Sequence, residues 1–345
     1  MFKPFVLFTV VIALAAPAAK AQSSTADQRA ERAREAAEAR AERAREAAEA
    51  RAERARDKAE RDRERQAERE ERDRAGVLDT TVTFDAHGSF TVSCPGGAVI
   101  VSGSERNEIR VRARTENGAI RFTSNGARAT LEPSSGRGCS DGRFEVTVPA
   151  GARVAATTWS GSVSISGVRG DVEAHAQSGD VQVKDAGDRL DVETLSGDVS
   201  IAGVKGESKV ITVSGGIELS TARGDVSAET VSGDIELRDV VAKQIRAHTT
   251  SGEVDFNGSI LDGGRYEFVA HSGTITLGVP ADIGAELTMS TFSGGIESDF
   301  PITLKAGEHG IGASRAKRLN FTLGRGTARI VAETFSGDIT LRRKR

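Results

Sequence analysis

The chain has 345 residues, with 47 Lys and Arg against 50 Asp and Glu, a formal charge of −3, and 4% aromatic residues. That length suits one or two domains, and the near-neutral balance removes any electrostatic argument for nucleic acid as a partner.

The first element is a leader. Lys3 supplies a short basic start, Phe5 to Ala16 is apolar and uncharged, and Ala19-Lys20-Ala21 is a small-x-small cleavage site. Residues 1–21 therefore read as a secretory signal peptide cut before Gln22. The apolar run is shorter than the roughly 20 residues of a membrane-spanning helix. No later segment reaches that length, so the mature chain is expected to be exported without a transmembrane segment, to the periplasm, the cell envelope or the medium.

Residues 22–75 form a second region of different chemistry. Between 26 and 75 stand 16 Arg and Lys and 16 Asp and Glu, with Ala filling most other positions. Ala30 to Arg40 reads AERAREAAEAR and the next eleven residues repeat it. Ala, Glu and Arg are strong helix formers, and neither Gly nor Pro interrupts them before Gly76. Thr25 and Gln28 suit a capping box. The expectation is one long charged helix. Its Ala stripe, from Ala30 to Ala59 at spacings of three and four, buries little area and contains no Leu or Ile. Two readings stay open: a solvated spacer held by pairs such as Arg34 with Glu38, or a coiled-coil stalk that oligomerises weakly or touches the wall.

Residues 76–150 turn β-like, with period-two runs at Ala98 to Ser102, Glu108 to Ala113 and Arg143 to Val148. They hold the only cysteines, Cys94 and Cys139. An even count in an exported chain favours a disulfide, and neither Cys lies in a CxxC or beside a His as a metal site would need. This region is expected to cap the N-terminal end of a repeat that occupies the remainder of the chain, with Gly310 to Arg345 finishing the other end.

Residues 151–345 are that repeat. A Ser-Gly followed one residue later by Val or Ile begins at Ser160, Ser178, Ser196, Ser214, Ser232, Ser251, Ser272, Ser293 and Ser336. The first four steps are 18 residues, the next are 19, 21 and 21, and the last, 43, reads as about two periods. Such a period means one unit stacked on itself. Apolar residues recur three and five positions from each Ser, as in Val199 and Ile201 or Ile235 and Leu237, with polar residues between. That is a strand with its apolar face inward. A second strand follows a Gly-rich turn, with Ala174, Val192, Val210, Ala228 and Ala247 pointing in. The fold class is therefore an all-β repeat, a β-solenoid of two short strands per rung of about 18–21 residues, preceded by the charged helix.

The corner glycines Gly161, Gly179, Gly197, Gly215, Gly233, Gly252, Gly273, Gly294 and Gly337 are read as residues that accept a positive φ. Asp180, Asp198, Asp234 and Asp338 are read as capping their own turns. Calcium-binding β-rolls need dense Gly-Gly-x-Gly-x-Asp repeats, and none occurs. A Thr stands two residues before the Ser in seven copies, and stacked hydroxyls at that corner are expected to satisfy one another.

No metalloprotease, nucleophile-elbow, phosphate-loop or dinucleotide signature appears. His175 and His248 share a repeat position but lie four rungs apart, roughly 19 Å, too far for one metal ion. No catalytic, metal or cofactor residue is assigned, and no cofactor is expected.

The run Phe144-Glu-Val-Thr-Val-Pro-Ala-Gly151, then Thr-Thr-Trp-Ser-Gly-Ser-Val-Ser-Ile and repeated Ser-Gly-Asp-Val, resembles the bacterial β-strand-repeat "putative adhesin" family over Val77 to Leu341. The resemblance implies an exported, non-enzymatic β-solenoid and carries over no functional residue. The charged helix departs from that family's pattern. The expected function is an adhesin-like or structural envelope protein whose partner is an envelope polymer, a surface or a protein. Alternatives are a carbohydrate-active enzyme built on a solenoid and a self-assembling scaffold.

Overall fold

The computed structural model describes residues 40, 42–43, 49–65, 76–115, 119–134, 142–301 and 317–344. The chain divides into two compact units, Met1–Glu70 and Glu71–Arg345. In the first, the described residues are helical at 40, 42–43 and 49–65, and all are exposed. The longest described stretch is thus about 25 Å of helix at 1.5 Å per residue, shorter than the 50-residue element expected from composition. The rest of that element and the leader residues 1–21 lie outside the described residues. No described helix is long and apolar enough to cross a membrane.

The second unit is built of stacked parallel rungs. Val181 pairs with Val163 on one side and Val199 on the other, and Ser196 pairs with Ser178 and Ser214, so the 18-residue period is the hydrogen-bonding register itself. A longer strand such as Arg189–Ser196 runs to the corner, and a short one such as Val199–Ala202 leaves it. The inward residues expected from the alternation, Val199, Ile201, Val192 and Val210 among them, are buried in one continuous core. β-branched side chains suit this site because both of their arms pack against the identical positions one strand above and below.

Each rung also has a third side that the two-strand reading lacks. Val168, Ala186, Val204, Ala222 and Val240 stack as an inward column within what reads as turn. Backbone bonds join them: Gly187 N to Val168 O at 3.0 Å, Lys205 N to Ala186 O at 3.2 Å, Arg223 N to Val204 O at 2.8 Å. In the longer rungs this side becomes regular strand, with Val240, Val241 and Ala242 opposite Gly258, Ser259 and Ile260.

The order of rungs in space differs from their order in the chain at the C-terminal end. Ser272 pairs with Ser336, and Ser336 with Ser293. After the Ser272 rung the chain leaves one place vacant and builds Ala285–Ser293 beyond it. Lys317–Leu323 then runs antiparallel along that strand, and Ala328–Ser336 returns into the vacant place. The step of 43 residues is therefore a return between two earlier rungs, not two rungs in succession. Ala328–Arg343 lies inside the stack rather than finishing it, and the outer described strand is Lys317–Leu323.

The N-terminal end repeats the manoeuvre. Ser89–Ser104 pairs with Arg153–Ser160 and Val163–Ser166 on one side, and with Arg128–Pro133 and Gly142–Pro149 on the other. Antiparallel strands then border the outer rung: Glu108–Arg114 along Gly142–Pro149, Val77–Thr83 along Glu108–Arg114, and Ile120–Ser124 along Arg128–Pro133. Residues before 150 thus supply full rungs as well as a border.

Candidate binding face

The Ser-Gly corner organises the surface around it. At Gly197 the backbone has φ +144°, and a Cβ would lie 2.3 Å from the carbonyl oxygen of Gly179 in the next rung. The same approach of 1.8 to 2.3 Å recurs at Gly161, Gly179, Gly215, Gly233, Gly252, Gly273, Gly294 and Gly337. The positive φ expected at all nine is found at eight and not at Gly294, yet glycine lies on glycine along the whole corner, so close approach, beyond torsional freedom, is what the position requires.

Side chains flanking this corner lock one rung to the next. Asp198 Oδ1 accepts from Gly216 N at 2.8 Å, Asp180 Oδ1 from Asp198 N at 3.0 Å, and Asp234 Oδ1 from Glu253 N at 2.7 Å. The acceptor therefore serves the following rung, not the turn that carries the Asp. Four of the seven buried corner threonines behave alike, while the hydroxyls of Thr158, Thr194 and Thr212 find no hydrogen-bond partner. Thr230 Oγ1 donates to Gly215 O, Thr249 Oγ1 to Gly233 O, Thr334 Oγ1 to Gly273 O and Thr291 Oγ1 to Gly337 O, at 2.9 to 3.2 Å. These hydroxyls bond glycine carbonyls across the corner instead of one another. Among the described residues no group of three or more His, Cys, Asp or Glu is placed to hold a metal ion.

Between the buried Thr and the corner Ser stands a position that alternation alone passes over. In spatial order it is Trp159, Gln177, Leu195, Val213, Val231, Thr250, His271, Phe335 and Phe292. Seven large hydrophobic side chains are exposed among the described residues, and six of them lie in this column, Val77 being the other. Trp159 is 66% exposed and Phe335 51%. At one end His271, Phe335 and Phe292 stack ring on ring, with centroids 5.1 and 4.8 Å apart and planes within 6°. At the other, a shallow groove of about 460 Å³ runs beside Trp159, Leu195, Ile211 and Val213. The result is a ridge about 38 Å long at a strand spacing of ~4.8 Å, apolar at six of its nine positions and interrupted by Gln177, Thr250 and His271. Lined-up copies would have disclosed it, because the column has the same 18-residue period as the corner.

Acidic residues border the ridge on both sides. Two residues before it, on the same sheet face, stand Glu193, Glu229 and Glu333; across the corner stand Asp180, Asp198, Asp234, Glu253 and Asp338. One column further round, Glu236 lies opposite Asp255 in register, and burial followed by the Glu236 charge raises the Asp255 carboxyl above its ordinary range.

The histidines do not converge. His175 Nε2 is 2.7 Å from Glu173 Oε1 and His248 Nε2 is 3.6 Å from Glu267 Oε1, each in its own rung neighbourhood. A polar cavity of about 760 Å³ lies on the same face, lined by Glu207, Asp225, Arg246, Arg265, Glu267 and Arg329. Two of its three carboxylates are engaged: Glu267 pairs with Arg246 at 3.4 Å, and Asp225 Oδ1 accepts from Gln244 N at 3.0 Å. Cys94 is buried and no described cysteine is free, whereas Cys139 lies outside the described residues. His309 also lies outside them.

A family model described as Toastrack DUF4097 matches residues 98–257 and again 226–342. A crystal structure from Bacteroides fragilis, described as a "putative adhesin", is similar at 11% identity and a TM-score of 0.36, over 77% of this chain and 96% of that one. Another, from Clostridium sporogenes and described as a "putative cell adhesion protein", aligns at 10% identity and a TM-score of 0.18, over 78% of this chain and all of that one. No curated protein matches the chain.

Proposed function

Because this chain belongs to the Toastrack DUF4097 family, we propose that it is an exported, non-enzymatic, adhesin-like protein of the cell envelope that binds a partner through the ridge at its Ser-Gly corner. The observation that carries the reading is the ridge itself. Exposed apolar side chains gathered into one long patch, rather than scattered, mark an interaction surface. The leader-like residues 1–21 support export. In this reading residues 22–75 are a spacer, 76–150 the N-terminal β segment, and 151–345 the presenting repeat.

Co-sedimentation with isolated envelope fractions tests it. Protein purified from cells expressing the full chain is expected to bind saturably, and a Val213→Ser, Val231→Ser variant is expected to lose that binding while keeping its β circular dichroism. A version beginning at Gly76 is expected to bind as the full chain does. Binding that ignores the ridge substitutions, or no binding at all, overturns the proposal.

A further inference from the structure

Taking the ridge as the binding site, we infer that its partner is a cationic amphipathic polypeptide, an apolar stripe flanked on both sides by Lys and Arg. The inference rests on what borders the ridge. The column before it supplies Glu193, Glu229 and Glu333, and the column across the corner supplies five more carboxylates, from Asp180 to Asp338. Among the described residues these two columns and the ridge contain no Lys or Arg. The cationic groups that reach in are Lys209, whose Nζ is 3.4 Å from Glu193 Oε1, Lys317, whose Nζ donates to Gly294 O at 2.8 Å, and Arg318, in register with Ser290 at the Phe292 end; His175 Nδ1 also lies 3.5 Å from Glu193 Oε2. The charge pattern is thus acid, apolar, acid, and its complement is base, apolar, base.

The same features disfavour the other occupants of an apolar ridge. A second copy would set acidic columns against acidic columns, with Glu229 among them. An anionic lipid surface would meet the same carboxylates, whereas peripheral membrane proteins bring Lys and Arg beside their apolar side chains. A sugar ring stacks on an aromatic face. In the His271, Phe335 and Phe292 ladder the rings lie nearly parallel, so both faces of the middle ring, Phe335, are taken by its neighbours and it offers its edge outward. An apolar protein side chain packs against such edges as well as against Leu195 or Val213.

Trp159 is the chain's single tryptophan and stands on the ridge, so its emission reports occupancy directly. The probe is a synthetic leucine–lysine peptide of about 18 residues with its leucines on one helical face. The comparisons are a leucine–glutamate peptide with the same stripe and an alanine–lysine peptide with the same charge. With the full-chain protein, the leucine–lysine peptide is expected to shift Trp159 emission to the blue, saturably and less tightly as salt rises. Neither comparison peptide is expected to bind. The triple variant Glu193→Gln, Glu229→Gln, Glu333→Gln, whose side chains make no backbone bond at the corner, is expected to weaken binding about tenfold, the worth of three exposed ion pairs.

Equal binding of the lysine and glutamate peptides overturns the cationic partner and leaves the ridge as a binding site. Failure of every peptide, with envelope binding still dependent on Val213 and Val231, overturns the partner class alone. Failure of every peptide together with ridge-independent envelope binding overturns both readings. A dimer in sedimentation equilibrium that Val213→Ser dissolves replaces the polypeptide partner with a second copy.

Discussion

Gly337 stacks on Gly273 although the Ser293 copy lies between them in the chain: a Cβ on Gly337 would stand 2.1 Å from the Gly273 carbonyl oxygen. The contact exists only because the last copy returns inside the one before it. Gly337→Ala is therefore expected to force two rungs apart and cost about 2–3 kcal/mol, the range of an overpacked core. Gly263→Ala is the comparison. Its φ of +72° strains any side chain, but a Cβ there meets nothing within 4 Å, so about 1 kcal/mol is expected. Urea denaturation of both variants measures the difference, and equal midpoints would refute the stacking argument.

A second corner carries strain that can be relieved. Gly167, Asp185, Gly203, Thr221 and Asp239 occupy equivalent positions there with φ between +52° and +75°. Thr221, at +56°, is the β-branched member and is exposed. Left-handed backbone disfavours a branched Cβ strongly, while Gly gives back part of the gain as unfolded-state entropy. Thr221→Gly is expected to stabilise the fold by about 0.5–1 kcal/mol. A raised urea midpoint at unchanged slope would agree with this; a lowered one would not.

Asp255 links stability to pH. Burial and the Glu236 charge raise its folded carboxyl pKa above the unfolded one. Below the unfolded pKa both states are protonated and the residue contributes nothing. As pH rises through the interval between the unfolded and the folded pKa a cost builds up, and it is complete once the partly desolvated carboxyl ionises in the folded state. Asp255→Asn is thus expected to raise Tm at pH 7 and to leave it unchanged at about pH 3, below the ordinary Asp value. A gain of equal size at both pH values would assign it to packing instead.

Cys94 and Cys139 are expected to be joined. Non-reducing peptide mapping should recover them in one fragment, and reduction should lower stability by roughly 4 kcal/mol for a loop of about 46 residues. Two separately alkylated peptides from the unreduced protein would dismiss the bridge.

Each structural feature is legible in the sequence only as far as its local pattern extends. Val199, Ile201 and their counterparts alternate with polar residues over five positions, enough to define a strand and its inward face. The third side offers one apolar residue per rung, such as Val204 within Gly203-Val-Lys-Gly206, and a single residue has no alternation to read. Rung order is not a property of spacing at all, since 43 residues fit two rungs or one return equally well. The ridge lay hidden because Trp159, Leu195 and Phe335 adjoin a buried Thr on one side and the corner Ser on the other, and only alignment of all copies turns isolated apolar residues into a column. The Asp column was visible from its period, but its acceptors reach across to the following rung, and a turn motif read locally does not contain that neighbour.

The inward return at each end changes how the stack comes apart. A repeat whose final rung is simply the outermost can peel from its terminus, one ladder at a time. Here the strand nearest the C-terminus, Ile339–Arg343, is held by ladders on both flanks, by Ile275–Val279 on one side and Ile296–Ser298 on the other, and Lys344 Nζ is tied to Asp239 at 2.9 Å. Pulling on the chain end must shear two ladders at once, while the outer strands hang from the middle of the chain. Mechanical load applied at the C-terminus therefore enters the body of the stack rather than its rim.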